Sequence, residues 1–176
     1  MRIIDLSLPL HSGMAVYPGD TQTRIELVER FADTGWNMRR LEMNGHDATH
    51  VNLPFHATAD GKTLDDFPID AFMGDAVIYE SDKDIETGVG LVFHKIDITW
   101  ETARAVAELR PKFIGLPAHF EFDIEIERWL LEREVISFER LINTEALPKR
   151  FCFHGAPLNI VAGDGSPVRA YAVAAD

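Results

Sequence analysis

Three things are scarce in this sequence of 176 residues: cysteine, positive charge and long apolar runs. The one cysteine, Cys152, cannot form an internal disulfide, which is typical of a reducing cytoplasm and predicts that location. No apolar run approaches the ~20 residues that a membrane-spanning helix needs. Lysine and arginine number 17 against 29 acidic residues, which gives a net charge of −12. Nucleic acids and anionic membranes are therefore poor candidate partners, because both attract positive surfaces.

The remaining composition is ordinary for a soluble globular protein, with 46% hydrophobic and 26% charged residues. A chain of this length buries enough surface to form one compact unit. We therefore predict a single domain over residues 1–176.

Turn residues divide the chain into short segments, most of which alternate apolar and polar side chains in the manner of strands. The predicted strands cover residues 2–8, 23–29, 37–44, 75–79, 90–93, 113–116, 135–138, 150–160 and 168–173. Two helices are predicted, over residues 100–109 between a Thr99 cap and Pro111, and over residues 124–133 after an Asp123 cap. Mixed strands with a few helices predict an α/β fold, a layered domain built on a mixed β-sheet.

Histidines are concentrated in one segment, because His46, His50 and His56 lie within eleven residues. Protonated imidazoles repel one another, so such clustering favours metal ligands or proton carriers. If the segment is extended, His50 and Asn52 point the same way. A helix would place His46 and His50 on one face, but Pro54 argues against a helix and indicates an ordered loop, at least from residue 51 onward. The spacing alone also allows these histidines to be surface or core-edge residues without a ligand.

Two glutamates could complete a metal site in the second half of the chain. Glu139 follows the predicted strand 135–138, where a carboxylate can be held rigidly at a sheet edge. Glu127 lies on the predicted second helix. Taken alone, each glutamate is most simply a solvated surface residue. Cys152 stands between two phenylalanines, which predicts a small buried apolar side chain rather than a nucleophile.

Residues 46–56 read HDATHVNLPFH, which resembles H-x-G-T-H-x-D-x-P-x-H, the signature of the cyclase-like metal-dependent hydrolases. This family includes the bacterial kynurenine formamidases. Residues 4–10, 17–20, 132–141, 157–158 and 164–170 also resemble family segments. The resemblance implies a swivelling β/β/α-like fold, one or two divalent ions per chain (Zn²⁺ or Mn²⁺) and a small-molecule substrate. It further implies a homodimer or homotetramer.

The resemblance also implies roles for individual residues. The positions that match the family site are His46, His50, Asn52, Glu127 and Glu139 for the metal, His56 for catalysis and Tyr17 for the substrate. Asn52 stands where the family has an aspartate that can bridge two ions, and Glu127 stands where it has a histidine. The simplest surviving site is then one ion held by His46, His50 and Glu139, with Asn52 as a weak fourth ligand. An oxygen-richer second position would suit Mn²⁺ or Mg²⁺ better than Zn²⁺.

These assignments predict a metal-dependent hydrolase that acts on an amide, formamide or lactam bond of a small aromatic substrate. The metal would lower the pKa of bound water from ~15.7 toward ~7. His56 would move the proton to the leaving nitrogen, and Tyr17 would form an aromatic wall. Two alternatives stay open: a catalytically degenerate member that binds a metal or a small molecule, and a metal-dependent lyase or isomerase in which Asn52 orients the substrate.

Overall fold

The computed structural model describes residues 1–81 and 86–174. The strands are β1 (Arg2–Asp5), β2 (Arg24–Glu29), β3 (Met38–Glu42), β4 (His50–Asn52), β5 (Met73–Ile78), β6 (Gly90–Val92), β7 (Ile114–Pro117), β8 (Ser137–Leu141), β9 (Arg150–His154), β10 (Gly165–Pro167) and β11 (Tyr171–Ala174). The helices are α1 (Phe31–Thr34), α2 (Pro54–Ala57), α3 (Trp100–Leu109) and α4 (Ile124–Leu131). Short 3₁₀ turns lie at Leu64–Asp66, Ile69–Phe72 and Thr144–Ala146.

Nine strands form one mixed sheet in the order β1-β11-β9-β5-β6-β7-β8-β4-β10. Strands β5 to β8 run parallel to one another, with α3 and α4 in the crossovers, and the other pairings are antiparallel. Just after β1, Ser7 forms a bridge to Leu141 at the end of β8, so the sheet curls back on itself. Strands β2 and β3 form a separate two-stranded sheet. The predicted α/β class with a mixed sheet and few helices is confirmed.

Successive residues of the central strands enter two different cores, one on each face of the sheet. Val92 and Phe138 pack in the core that contains Leu6, whereas Leu91 and Ile114 pack in the core beneath α3 and α4. This follows from the alternation of side chains along a strand. In β8, the neighbours of Phe138 on either side therefore point toward the helical face, where the functional residues lie.

Side-chain caps position the two longer helices. Thr99 accepts a hydrogen bond from the backbone N–H of Thr102, and α3 ends before Pro111, as predicted. Asp123 accepts hydrogen bonds from the backbone N–H groups of Glu125 and Ile126 at the start of α4. Within the described residues, no helix has both the length and the apolar character needed to cross a membrane.

Three predictions that concern the site or the cysteine were wrong. Residues 51 and 52 belong to β4, and Pro54 then begins α2 instead of continuing a loop, because a helix accepts proline in its first turn, where no N–H is needed. Glu139 lies in the middle of β8 and not after the end of a strand. Cys152 is half-buried, with its Sγ 3.5 Å from Nε2 of His154, on the face of β9 opposite its buried phenylalanines.

Candidate metal centre

The candidate site lies on the helical face of the sheet, around strand β4. His50 of β4 is the register partner of Glu139 in β8, and Asn52 is the partner of Ser137 in β8 and of Gly165 in β10. Because cross-strand partners project from the same face, the side chains of these four β4 and β8 residues lie together. His50 and Asn52 lie in a strand and not in the predicted loop, and their side chains share one face, as expected of an extended segment.

The turn that leads into β4 is held by a buried carboxylate. Asp47 accepts hydrogen bonds from Thr23 Oγ1 (2.5 Å) and from the backbone N–H of Asn44 (3.0 Å). Burial alone would raise the pKa of Asp47, but these hydrogen bonds outweigh it and hold the pKa below its ordinary value. Ala48 follows with φ of 55°, in the left-handed region that favours glycine, and turns the chain into the strand. This turn sets the position of His46 relative to β4.

A glycine in β10 leaves the space that His46 needs. A Cβ atom at Gly165 would lie 2.5 Å from Cε1 of His46, so no side chain fits at this position. The preceding residue, Asp164, accepts a hydrogen bond from the backbone N–H of Leu53 through its carbonyl oxygen (3.0 Å). Close packing of β10 against the histidine segment therefore places the Asp164 carboxylate beside the site.

Asn52 is buried at the centre of the site and contacts both halves of it. Its Oδ1 lies 2.7 Å from Nδ1 of His46. Its Nδ2 donates hydrogen bonds to Oε1 of Glu127 (2.7 Å) and to Oε1 of Glu139 (2.5 Å). The carboxamide thus separates an imidazole side from a carboxylate side.

Asp164 binds two of the three clustered histidines. Its Oδ2 accepts hydrogen bonds from Nε2 of His46 (2.8 Å) and from Nδ1 of His56 (3.3 Å), and the two imidazole rings lie 3.9 Å apart. Burial raises the pKa of Asp164, but the hydrogen bonds from both histidines and the charge of His46 outweigh this effect and hold the pKa below its ordinary value, so the carboxylate is ionised at neutral pH. Among the His, Cys, Asp and Glu side chains of the described residues, these three have ligand atoms within 4.8 Å of one another and could hold a metal ion.

His50 lies outside that group of three and is a neutral imidazole. Its Nδ1 donates a hydrogen bond to the carbonyl oxygen of Ala48 (2.9 Å). Burial lowers the pKa of His50 to about 3, with a smaller contribution from the nearby charges of His46, Arg140 and His56. Nε2 therefore keeps its lone pair at neutral pH, which is the form of histidine that binds a metal.

Glu139 shares the carboxylate side with Glu127. Burial raises the pKa of Glu139 well above its ordinary value, and the charge and hydrogen bond of Glu127 raise it further, whereas Asn52 and Arg140 act in the opposite direction. Two carboxyl groups this close cannot both ionise without a compensating cation or proton. The Glu127–Glu139 pair therefore holds either a shared proton or a nearby cation.

The donor set fits a divalent ion. When His46 donates a hydrogen bond from Nε2–H to Asp164, the other ring nitrogen, Nδ1, can present a lone pair toward Oδ1 of Asn52, 2.7 Å away. A proton on Nδ1 makes this contact an ordinary hydrogen bond, and a divalent ion would take the place of that proton. An imidazole oriented by a carboxylate is the usual arrangement of a metal-binding histidine. Imidazole nitrogen and carboxamide oxygen suit Zn²⁺ and Mn²⁺.

Six of the seven predicted site residues come together in the structure: His46, His50, Asn52, His56, Glu127 and Glu139. Tyr17 does not join them, since its ring is 65% exposed on the loop after β1 and makes no hydrogen bond or ring contact with them in the described part of the chain. Asp164 was missed. The sequence showed it only as part of a turn before the closing strands, with no sign that this turn packs beside His46.

A protein-family model matches the part of the chain that contains most of the site residues. The family model named Cyclase, with the description "Putative cyclase", matches residues 4–139, more than half of the chain. The chain belongs to the cyclase family. The matched region contains the histidine segment and both glutamates, and it ends before Asp164.

Relatives of this cyclase-family chain extend over almost its whole length. The kynurenine formamidase of Salinibacter ruber is 25% identical over 204 aligned positions, which cover 97% of this chain and 96% of that enzyme. A solved structure described as a potential metal-dependent hydrolase with cyclase activity has a TM-score of 0.79 at 20% identity, covering 97% of this chain and 96% of the other. Isatin hydrolase A from Labrenzia aggregata, bound to benzyl benzoate, has a TM-score of 0.79 at 20% identity, covering 97% and 93%. These two structures share the fold.

Proposed function

We propose that this cyclase-family protein is a metal-dependent hydrolase that cleaves a carbon–nitrogen bond, in an amide, formamide or lactam, of a small aromatic substrate. The observation that carries the proposal is the 2.7 Å contact between His46 Nδ1 and Asn52 Oδ1, two atoms that can both serve as ligands of one ion when Nε2 of His46 donates to Asp164. The relatives named kynurenine formamidase and isatin hydrolase support the reaction class and an aromatic substrate.

The ligands we assign to the ion lie on the imidazole side of the site. They are His46 through Nδ1, the neutral His50 through Nε2 and Asn52 through Oδ1, and Glu139 stands opposite His50 across the strand pair. A divalent ion bound there would lower the pKa of a coordinated water and polarise the substrate carbonyl group. Zn²⁺ and Mn²⁺ are the ions we propose.

His56 is the residue that we assign to proton transfer. Its Nδ1 donates a hydrogen bond to Asp164, so its Nε2 keeps a lone pair. The side chain is 39% exposed, which leaves it accessible to a substrate. In this role His56 accepts a proton from the attacking water and returns it to the leaving nitrogen. The Asp164 carboxylate holds the imidazole in the tautomer that this step requires.

Tyr17 keeps the substrate-binding role in this proposal. Its ring is exposed on the loop between β1 and β2, where it can cover an aromatic substrate that enters beside His56. We place no other described residue in that role.

The test is hydrolysis of aryl formamides and cyclic aryl amides by Zn²⁺-loaded and Mn²⁺-loaded protein, followed by mass spectrometry. The expected product is heavier than the substrate by one water molecule. His56→Ala should lower kcat by about 10²–10⁴-fold, the usual size of a general acid–base contribution. The bound metal, measured by elemental analysis, should not change. His119→Ala, which removes an exposed histidine from another part of the chain, is the matched control.

Other results would contradict the proposal. Turnover that does not depend on His56 would remove the assigned mechanism. A product of unchanged mass would favour an isomerase. Ligand affinity without turnover would favour a binding protein that has lost catalysis. If the protein neither contains nor takes up an ion, the metal-dependent reaction itself is wrong.

A further inference from the structure

We infer that the Asn52 carboxamide restricts this site to one divalent ion, because its single oxygen can serve the imidazole side or the carboxylate side but not both. The inference rests on the proposed function. It goes further by fixing the number of ions and the residue that limits it.

The two sides of the site are both within reach of the same side chain. On the imidazole side, Oδ1 of Asn52 lies 2.7 Å from Nδ1 of His46. On the carboxylate side, Nδ2 lies 2.7 Å from Oε1 of Glu127 and 2.5 Å from Oε1 of Glu139. Asn52 is buried between the two sides, so no bulk solvent separates them.

In the orientation present in the structure, the carboxylate side is closed to a cation. A carboxamide nitrogen has two hydrogens and no available lone pair. Both carboxylate contacts of Asn52 are made through this nitrogen, so its hydrogens point toward Glu127 and Glu139. A cation placed between these carboxylates would meet N–H hydrogens at the position where a ligand atom is needed.

The reverse orientation closes the imidazole side instead. If the carboxamide turned over, Oδ1 would face Glu127 and Glu139 and could join them around an ion. Nδ2 would then face Nδ1 of His46 and donate a hydrogen bond to it. Asp164 already accepts the hydrogen bond from Nε2 of His46, so both ring nitrogens would be occupied and the imidazole could not bind a metal. Each orientation therefore admits a cation on one side only.

The contacts favour the imidazole side. The glutamate pair offers the amide hydrogens carboxyl oxygens, at least one of them ionised, and charge-assisted hydrogen bonds are about twice as strong as one to a neutral imidazole nitrogen. The ion then has two imidazole nitrogens among its ligands, a set that suits Zn²⁺ and Co²⁺ better than Mg²⁺. Aspartate at position 52 would remove the restriction, since a carboxylate offers one oxygen to each side.

The experiment is a titration of metal-free protein with Co²⁺ and with Zn²⁺, followed by calorimetry and elemental analysis after dialysis. Wild type should bind one ion per chain, and Asn52→Asp should bind two. The double variant Asn52→Asp/Glu127→Gln should return to one, because the carboxylate side loses a ligand. Asn159→Asp, an exposed position, is the matched control and should stay at one.

The visible absorption of bound Co²⁺ locates the ion without any activity assay. The wild-type spectrum should be kept in Glu127→Gln and lost in His50→Ala, with circular dichroism to check that each variant is folded. Two ions bound to wild type would overturn the inference and leave the proposed hydrolase intact. A folded Asn52→Asp variant that still binds one ion would also overturn it. No ion bound to wild type would instead contradict the proposed function.

Discussion

Nε2 of His46 lies 2.8 Å from Oδ2 of Asp164, although the two residues are 118 positions apart in the sequence. The same carboxylate oxygen accepts the hydrogen bond from His56. One carboxylate thus sets the tautomers of the imidazole that we assign to the metal and of the imidazole that we assign to proton transfer. Metal affinity and proton transfer should therefore both depend on Asp164.

Asp164→Asn should weaken both functions. The variant removes the charge that orients the rings, and loss of the hydrogen-bond partner of a metal-binding histidine typically costs about 10–100-fold in metal affinity or activity. Competition with a chromogenic chelator measures the affinity, and kcat for an aryl formamide or cyclic aryl amide measures the second effect. Asp60→Asn, an exposed aspartate, serves as the control and should leave both values unchanged. Unchanged affinity and kcat in Asp164→Asn would mean that Asp164 does not orient the two histidines.

Asp47→Asn should destabilise the fold by about 1–3 kcal/mol at neutral pH, because a buried network loses its charged acceptor. The pKa of Asp47 is lower in the folded chain than its ordinary 3.8, so the folded state favours the ionised form. The contribution of Asp47 is therefore complete above pH 3.8 and is lost as the pH falls through the lower folded-state pKa. Urea unfolding from pH 7 down to pH 3 should show the two proteins converging at the acidic end.

The same Asp60→Asn variant controls for the general effect of removing one negative charge. Its stability should follow that of wild type at every pH in the series. A constant gap between wild type and Asp47→Asn across the whole range would show that ionisation of Asp47 does not contribute to folding.

The β2–β3 hairpin should mediate self-association, and we propose a homodimer or homotetramer. A two-stranded hairpin is marginally stable by itself, yet this one exposes Phe31 (68%), Trp36 (74%) and Leu41 (54%). Sedimentation equilibrium should give a multiple of the 19.8 kDa chain, and the double variant Phe31→Ser/Trp36→Ser should shift it toward the monomer. Val161→Ser changes an exposed apolar position outside the hairpin and should leave the measured mass unchanged. A monomeric wild type at all concentrations would contradict this.

Local patterns predicted much of the architecture. The bounds of α3 agree with the prediction because a threonine cap and a following proline define both ends of that helix within the sequence itself. The placement of His50 and Asn52 on one face follows from the period of a strand and needs no knowledge of the neighbouring strands. These features depend on residues that are close in the chain.

Most of the features that the sequence did not predict depend on the pairing of segments that are distant in the chain. Asp164 reaches His46 only because β10 lies beside β4, and no periodicity in either segment records that pairing. Pro54 was interpreted as a breaker, although proline at the start of a helix loses no hydrogen bond. The orientation of the Asn52 carboxamide depends on carboxylates from α4 and β8, which local sequence cannot bring together.

The position of β10 at the edge of the sheet has a consequence for synthesis of the protein. The histidine segment and both glutamates leave the ribosome before residues 164–167, which complete the pairing with β4. A growing chain therefore carries its imidazoles without the carboxylate that orients them. The site becomes complete only when β10, which follows the other site residues along the chain, has paired with β4.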